Sequence, residues 1–297
     1  MKRTSWFALL TVVALLLGLL SGCGGTASST ASSVSAAPVA ASAEETAEPA
    51  ASSGETPSSP EGDVPDYTIT LNGDSISAEG AKVEGSTVTI TKTGNYHVSG
   101  TLNDGQIIVD AKGEDIRIVL EGADISCSTS APIYVKKAEL VNIWLAEGTE
   151  NTVTDTANYV FAEGEDEPDA AIFAKDDLAI VGQGTLTVHG NYDMGIHCKD
   201  TLFLNADITV DAVGDGVKGK DAVYLAECSL KITAGADGIQ SNNDTEGGDI
   251  FIQSGEITVD AQGDGIKAEH ALEITGGTIQ VTAQEDGLKA KNTIGGG

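Results

Sequence analysis

The chain has 297 residues, with 45 acidic side chains against 16 lysines and arginines and a formal net charge of −29. That balance disfavours nucleic acid and anionic headgroups as partners and favours cations. Aromatic residues make up only 4%, so no flat stacking platform for neutral polysaccharide is apparent.

In chain order, Met1-Lys2-Arg3 supplies a positive start, Trp6 to Leu20 is apolar, and small residues follow. Residues 1–22 therefore read as a secretory signal rather than a membrane span. The ending Leu20-Ser21-Gly22-Cys23 resembles the bacterial lipobox, which makes Cys23 the expected lipidation site and the cell surface the expected location. Residues 23–65 are Ala, Ser, Thr, Pro, Gly and Glu with almost no bulky apolar side chain. They cannot bury enough surface to offset chain entropy and read as a tether. The membrane is then met through the lipid only. Cys127, Cys198 and Cys228 remain, an odd number without metal-type spacing, which argues against a disulfide framework.

From residue 66 to 297 the chain reads as one domain of short alternating strands. Tyr67-Ile69-Leu71, Val88-Ile90, Tyr96-Val98, Ile107-Val109, Ile116-Ile118-Leu120, Ile133-Val135 and Val141-Ile143-Leu145 form the predicted cap and first coils. The acidic stretch from Ala162 to Asp169 reads as a loop. A ladder then begins at Asp193-Met194-Gly195-Ile196 and continues at Asp215-Gly216-Val217, Asp237-Gly238-Ile239, Asp264-Gly265-Ile266 and Asp286-Gly287-Leu288. Its period is about 22 residues, lengthened once by the polar insertion Ser241 to Gly248, and each unit holds three alternating segments. Three strands per period describe one triangular coil of an all-β fold, a right-handed, single-stranded parallel β-helix. A leucine-rich repeat would need a Leu-x-x-Leu-x-Leu pattern and a helical return, and neither is visible. Cys198 and Cys228 fall at repeat positions otherwise held by Ala, Gly or Ser, so they read as packing residues. Ile294 opens a new coil shortly before Gly297, so the C-terminal end reads as incomplete.

Stacking brings equivalent residues of neighbouring coils to about 4.8 Å. Asp215, Asp237, Asp264 and Asp286, with Asp193 near the start, would form a carboxylate column able to recruit Ca2+, which takes six to eight oxygen ligands. The insertion adds Asn242, Asn243 and Asp244, expected beside the Asp237 rung. The alternative is that Asp-Gly is an ordinary turn, with Asp accepting backbone N–H groups and Gly at positive φ. A second outward column, His197, Lys218, Gln240, Lys267 and Lys289, either pairs with the aspartates or meets the carboxylates of an acidic glycan. No hydrolase, zinc-protease, nucleotide-binding or Cys/His catalytic motif is present. A calcium-assisted polyuronate lyase using Lys218 or Lys267 as base is the enzymatic alternative, and a structural stalk or adhesin is another.

The segments "GTLNDGQIIVDAKGEDIRIVLEGADISCSTSAPIYVKKAELVNIWLAEGTENTVTD" and "DAAIFAKDDLAIVGQGTLTVHGNYDMGIHCKDTLFL", with the Asp-Gly-Ile-Lys repeats and "LEITGGTIQVTA", resemble the bacterial carbohydrate-binding-domain lipoproteins. The resemblance covers Tyr67 to the end. It implies a calcium-binding parallel β-helix that binds acidic plant polysaccharide such as polygalacturonate, and cellulose, without established catalysis; the chain itself is expected to be a monomer.

Overall fold

The computed structural model describes residues 64–245 and 247–296, so the signal, Cys23, nearly all of the tether and Glu246 lie outside the described residues. The described part is strand throughout with no helix, and no helix in it is long and apolar enough to cross a membrane. Two hairpins open the fold. Ile76–Ala78 pairs antiparallel with Asp66–Gly73, and Lys82–Glu84 pairs antiparallel with Thr87–Ile90. Every other described pairing is parallel and joins one coil to the next, giving a β-solenoid of about 8 turns with about 24 residues per turn.

The ladder lies on the narrower, ten-stranded sheet. Its register is the expected one: Ile196 faces Val217, Val217 faces Ile239, Ile239 faces Ile266 and Ile266 faces Leu288. The mean turn exceeds 22 residues because two coils carry extra chain. Residues 156–169 loop out between Thr154 and Ala170, and the insertion after Ser241 widens another coil.

The wider sheet departs from three separate strands per coil. In Asp177–Gly190 the second and third strands are one continuous strand, bent where the register shifts between Val181 and Thr185. Gly182 makes the bend at φ 127°, where an added Cβ would lie 2.2 Å from the Leu145 carbonyl oxygen. In later coils the bend becomes a break between Ala222–Leu225 and Cys228–Ala234, and Glu227 sits in it at φ 49°.

Alternation on each face sends one column of side chains inward, and these stack coil on coil. Ile133, Ile172, Ile196, Val217, Ile239 and Ile266 are fully buried, as are Leu202, Val223 and Ile250 on the next face. Each such side chain contributes about 1.5–3 kcal/mol of transfer free energy, so the repeated column, more than any loop, sets the register. Two inward columns are small. Cys198 faces Ala174 and Gly219, and Cys228 faces Gly255. Burial pushes the Cys228 thiol up to about 11 and the Cys198 thiol higher still, which suits packing and not nucleophilic chemistry.

The glycines of the Asp-Gly pairs are not the expected positive-φ turn residues. Gly216, Gly238 and Gly265 are absent from the left-handed region. An added Cβ would instead strike Ile232 Cγ2, Val259 Cγ1 and Val281 Cγ1 at 2.3, 2.3 and 2.2 Å, with the next coil's carbonyl oxygen at 2.5–2.7 Å. Glycine is required because the chain turns the corner in contact with the core.

Candidate functional site

The aspartate column exists, and its oxygens are engaged along the solenoid axis. The backbone N–H of Asp237 donates to Asp215 Oδ1 at 3.0 Å, that of Asp264 to Asp237 Oδ1 at 2.8 Å, and that of Asp286 to Asp264 Oδ1 at 3.1 Å. The lysine column interleaves with it. Lys267 Nζ lies 2.8 Å from Asp237 and 3.2 Å from Asp264, while Lys289 Nζ lies 3.0 Å from Asp264 and 3.1 Å from Asp286. Lys218 stands 3.6 Å from Asp215, and the Gln240 amide donates to Asp237. Each central carboxylate therefore meets one amide and one or two side-chain donors.

Charge and burial act against each other here. The Asp264 side chain is fully buried, which opposes ionisation, yet Lys289, the Asp286 amide and Lys267 hold its carboxyl below the usual range. Burial lifts the Asp215 carboxyl above that range despite the Asp237 amide and Lys218. This is the pairing alternative: carboxylates saturated by amides and ammonium groups do not fit a calcium ion.

Asp193 stands off the column. The segment from Asp193 to Ile196 is one residue longer than that from Asp215 to Val217, and Ile196 and Val217 share a rung, so Met194 takes the level of Asp215. Burial, then Asp169 and Asp215, raises the Asp193 carboxyl. His197 Nδ1 is 2.6 Å from Asp169 Oδ1. Asp169, read from sequence as loop, is level with Asp193 because Ala170 pairs with Met194; the likeness of Asp169-Ala170-Ala171-Ile172 to Asp193-Met194-Gly195-Ile196 is the signal for it.

The insertion does not join the Asp237 rung. The backbone N–H of Asn243 donates to the Lys220 carbonyl, its side-chain amide to Asp221, and its Oδ1 accepts from Thr245. Asn242 and Asp244 are exposed on the same loop. These bonds place the loop at the next corner, because Ser241 ends the ladder strand before it begins.

That corner carries a second acidic column which the ladder reading missed. Glu114, Glu139, Asp176, Asp200 and Asp221 occupy one position on successive coils. The repeats Lys175-Asp176, Lys199-Asp200 and Lys220-Asp221, each just before an inward Leu or Val strand, are visible in the sequence. Burial, with Glu139 and Asp176, lifts Asp177 to about 6; burial, with Asp177 and Asp221, lifts Asp200 to about 7. These are oxygen donors under mutual repulsion, the chemistry a hard divalent cation relieves. Among the described residues, no three His, Cys, Asp or Glu side chains converge in metal-holding geometry. A cation here would draw on the Asp200 and Asp221 pair.

The register of the lysine column continues toward the N-terminus through His197, Phe173 and Tyr134, which are buried. Ile108, Tyr134, Phe173, His197, Lys218, Gln240, Lys267 and Lys289 are successive register partners. Tyr134 meets Phe173 edge to face at 5.6 Å, and Phe173 meets His197 likewise at 5.2 Å. Where the column reaches Tyr134, the 156–169 loop walls a cleft of about 360 Å³. Sequence reasoning counted aromatics over the whole chain and so missed that Tyr134 and Phe173 share this column.

Residues 84–295 match the family described as carbohydrate-binding domain-containing protein. A relative of that description from Acetivibrio thermocellus is 43% identical over 157 residues, covering 51% of this chain and 54% of its own length. The chain thus spans about half the length of this curated relative. A solved structure, the polysaccharide lyase-like protein from C. thermocellum as a gadolinium derivative, is 36% identical with a TM-score of 0.77, covering 78% of this chain and 97% of that one.

Proposed function

This chain belongs to the carbohydrate-binding domain-containing family, and from that premise we propose that it is a cell-surface lipoprotein holding acidic polysaccharide, polygalacturonate in type, along the outer face of its narrow sheet. The observation that carries the reading is the column Lys218, Gln240, Lys267 and Lys289, which repeats polar groups at coil spacing for a polymer that also repeats, while Tyr134, Phe173 and His197 in the same register are buried. The lysines there are paired, so they meet a glycan as hydrogen-bond donors in a neutralised array rather than as bare charges. Calcium has its place in this reading at the Asp200–Asp221 corner, where it would neutralise the repelling carboxylates and steady the coils.

A lyase reading draws on the lyase-like relative. It meets an obstacle in Lys267, whose ammonium Asp237 and Asp264 hold above the ordinary lysine range against the opposing effect of burial. A proton-abstracting base must be neutral at the working pH, so the ladder gives no base at this position.

Retention of the full chain on immobilised polygalacturonate and on cellulose, each in calcium and in chelator, tests the proposal. Ultraviolet absorbance of unsaturated uronate is followed in parallel. Retention on the acidic polymer without growing absorbance is the expected result. No retention on either polymer would overturn it, and growing absorbance would replace it with the lyase.

A further inference from the structure

Lysines on the narrow sheet and its corners are mostly committed to carboxylates. Lys175 and Lys199 bracket Glu167, Lys291 meets Glu269, and Lys218, Lys267 and Lys289 meet the aspartate column. Lys136 and Lys137 differ: among the described residues neither has an ion-pair partner. Both line the cleft at Tyr134, with Lys136 Nζ 5.3 Å from the Tyr134 ring centre. On a chain of net charge −29, Lys136, Lys137 and Lys175 bring three ammonium groups to this concavity, beside the carboxylates of Asp110, Glu165 and Glu167.

The rest of the lining narrows the class of anion. Ile108, Tyr134, Val160, Phe161 and Pro168 supply apolar surface, and Asp110, Ser130 and Glu165 supply hydrogen-bond acceptors. A bare inorganic anion has no use for the first set. A sugar ring with a carboxylate uses all three: its C–H face lies on the apolar wall, its hydroxyls donate to the acceptors, and its carboxylate meets the lysines. The volume is at the lower end for small-ligand sites, suited to a monosaccharide or disaccharide unit rather than a long chain.

The wall is held in place before any ligand arrives. The Tyr159 hydroxyl lies 2.7 Å from Asp155 Oδ2, its ring stacks on Tyr192 at 4.2 Å and 14°, and the buried Asp155 also accepts from the Asn191 and Tyr192 backbone N–H groups. Val160, the next residue, stays 71% exposed. A rigid loop that leaves an apolar side chain in solvent beside a cleft reduces the ordering cost of binding there.

We infer that this cleft is a subsite for one carboxylate-bearing sugar unit, with Lys136 and Lys137 as the carboxylate contacts and the 156–169 loop as its apolar wall. The inference rests on the polysaccharide reading above and locates the end of the bound chain. Calorimetry of the full chain with a galacturonate trimer, with cellotriose and with acetate tests it. The double variant Lys136→Ala, Lys137→Ala should bind the acidic trimer at least about tenfold more weakly, the effect expected when charged contacts are lost, at an unchanged unfolding midpoint. Phe161→Ala should weaken the trimer severalfold, while Lys231→Ala, a charge removed from an exposed position on another face, should leave it unchanged. Cellotriose and acetate should bind far more weakly than the trimer. Equal trimer affinity in the wild type and the double variant overturns the subsite; with polymer retention intact, the general reading then survives. Equal affinity for cellotriose and the acidic trimer also overturns it. If the wild type holds neither trimer nor polymer, both readings fall.

Discussion

Asp264 offers the sharpest test of what the aspartate column is for. Its buried carboxylate accepts the Asp286 backbone N–H and meets both Lys267 and Lys289. Replacement by alanine strands that amide, and a lost buried hydrogen bond costs about 1–3 kcal/mol. The lower end applies because this hydrogen bond is only partly buried. Breaking a fully buried ion pair costs about 3–5 kcal/mol, but these lysines are 34% and 42% exposed and keep Asp237 and Asp286 as partners, so about 1 kcal/mol is the reasonable share. Asp264→Ala should therefore lose about 2 kcal/mol in urea unfolding. Asp264→Asn, which keeps an acceptor for the amide, should lose about half of that. Because the folded-state carboxyl titrates below its ordinary value, this stabilisation is present at neutral pH and disappears as pH falls below about 4. The gap between wild type and variant should close in acid. It should be equal in calcium and in chelator. A penalty that exists only with calcium present would refute the ion-pair account and restore the column as a metal site.

The second acidic corner predicts the opposite pH behaviour. Asp200 titrates at about 7 in the fold, so the folded state binds more protons than the unfolded one between about pH 4 and 7, and stability falls as pH rises through that interval. Asp200→Asn should flatten this slope and stabilise the protein at pH 8 by about 1 kcal/mol after allowance for solvent screening; it should also remove any rise in melting temperature that calcium gives the wild type. An unchanged slope would discard the assignment. Gly238→Ala, which drives a Cβ to 2.3 Å from Val259, should cost about 1–3 kcal/mol through overpacking, and a neutral result would refute the close-contact account of this glycine. Glu227→Gly should stabilise by about 1 kcal/mol by removing a side chain from the left-handed region, as read from the unfolding midpoint.

The coil architecture was legible because one physical demand repeats: an inward apolar residue at each level fixes the strand register, and Ile196, Val217, Ile239, Ile266 and Leu288 are found in that register. The small positions of Cys198 and Cys228 were legible for the same reason. The continuous bend at Gly182 was less so, since whether two strands fuse depends on backbone angles that alternation does not encode. The site was legible by column and not by corner. Sequence spacing aligned the aspartates and lysines but could not say which oxygens the amides would occupy, nor that Asn243 would reach Asp221 and leave Asp237 alone. The Lys-Asp repeats at the second corner carried as clear a period as Asp-Gly. They were overlooked because a charged pair at a strand boundary resembles ordinary solvated surface.

The interleaving of Asp and Lys has a mechanical side. The bonds that join Asp237 to Lys267 and Asp264 to Lys289 run from one coil to the next, while Lys267–Asp264 and Lys289–Asp286 brace a single coil, so a pull along the long axis loads the coil-to-coil links one level after another. A coil can then peel away with its own contacts while its neighbours stay stitched. Such a body yields in steps, each about one coil long, instead of failing at once. The Asp200–Asp221 level, where the stacked charges are alike, is where a stretching experiment should record the first and lowest step.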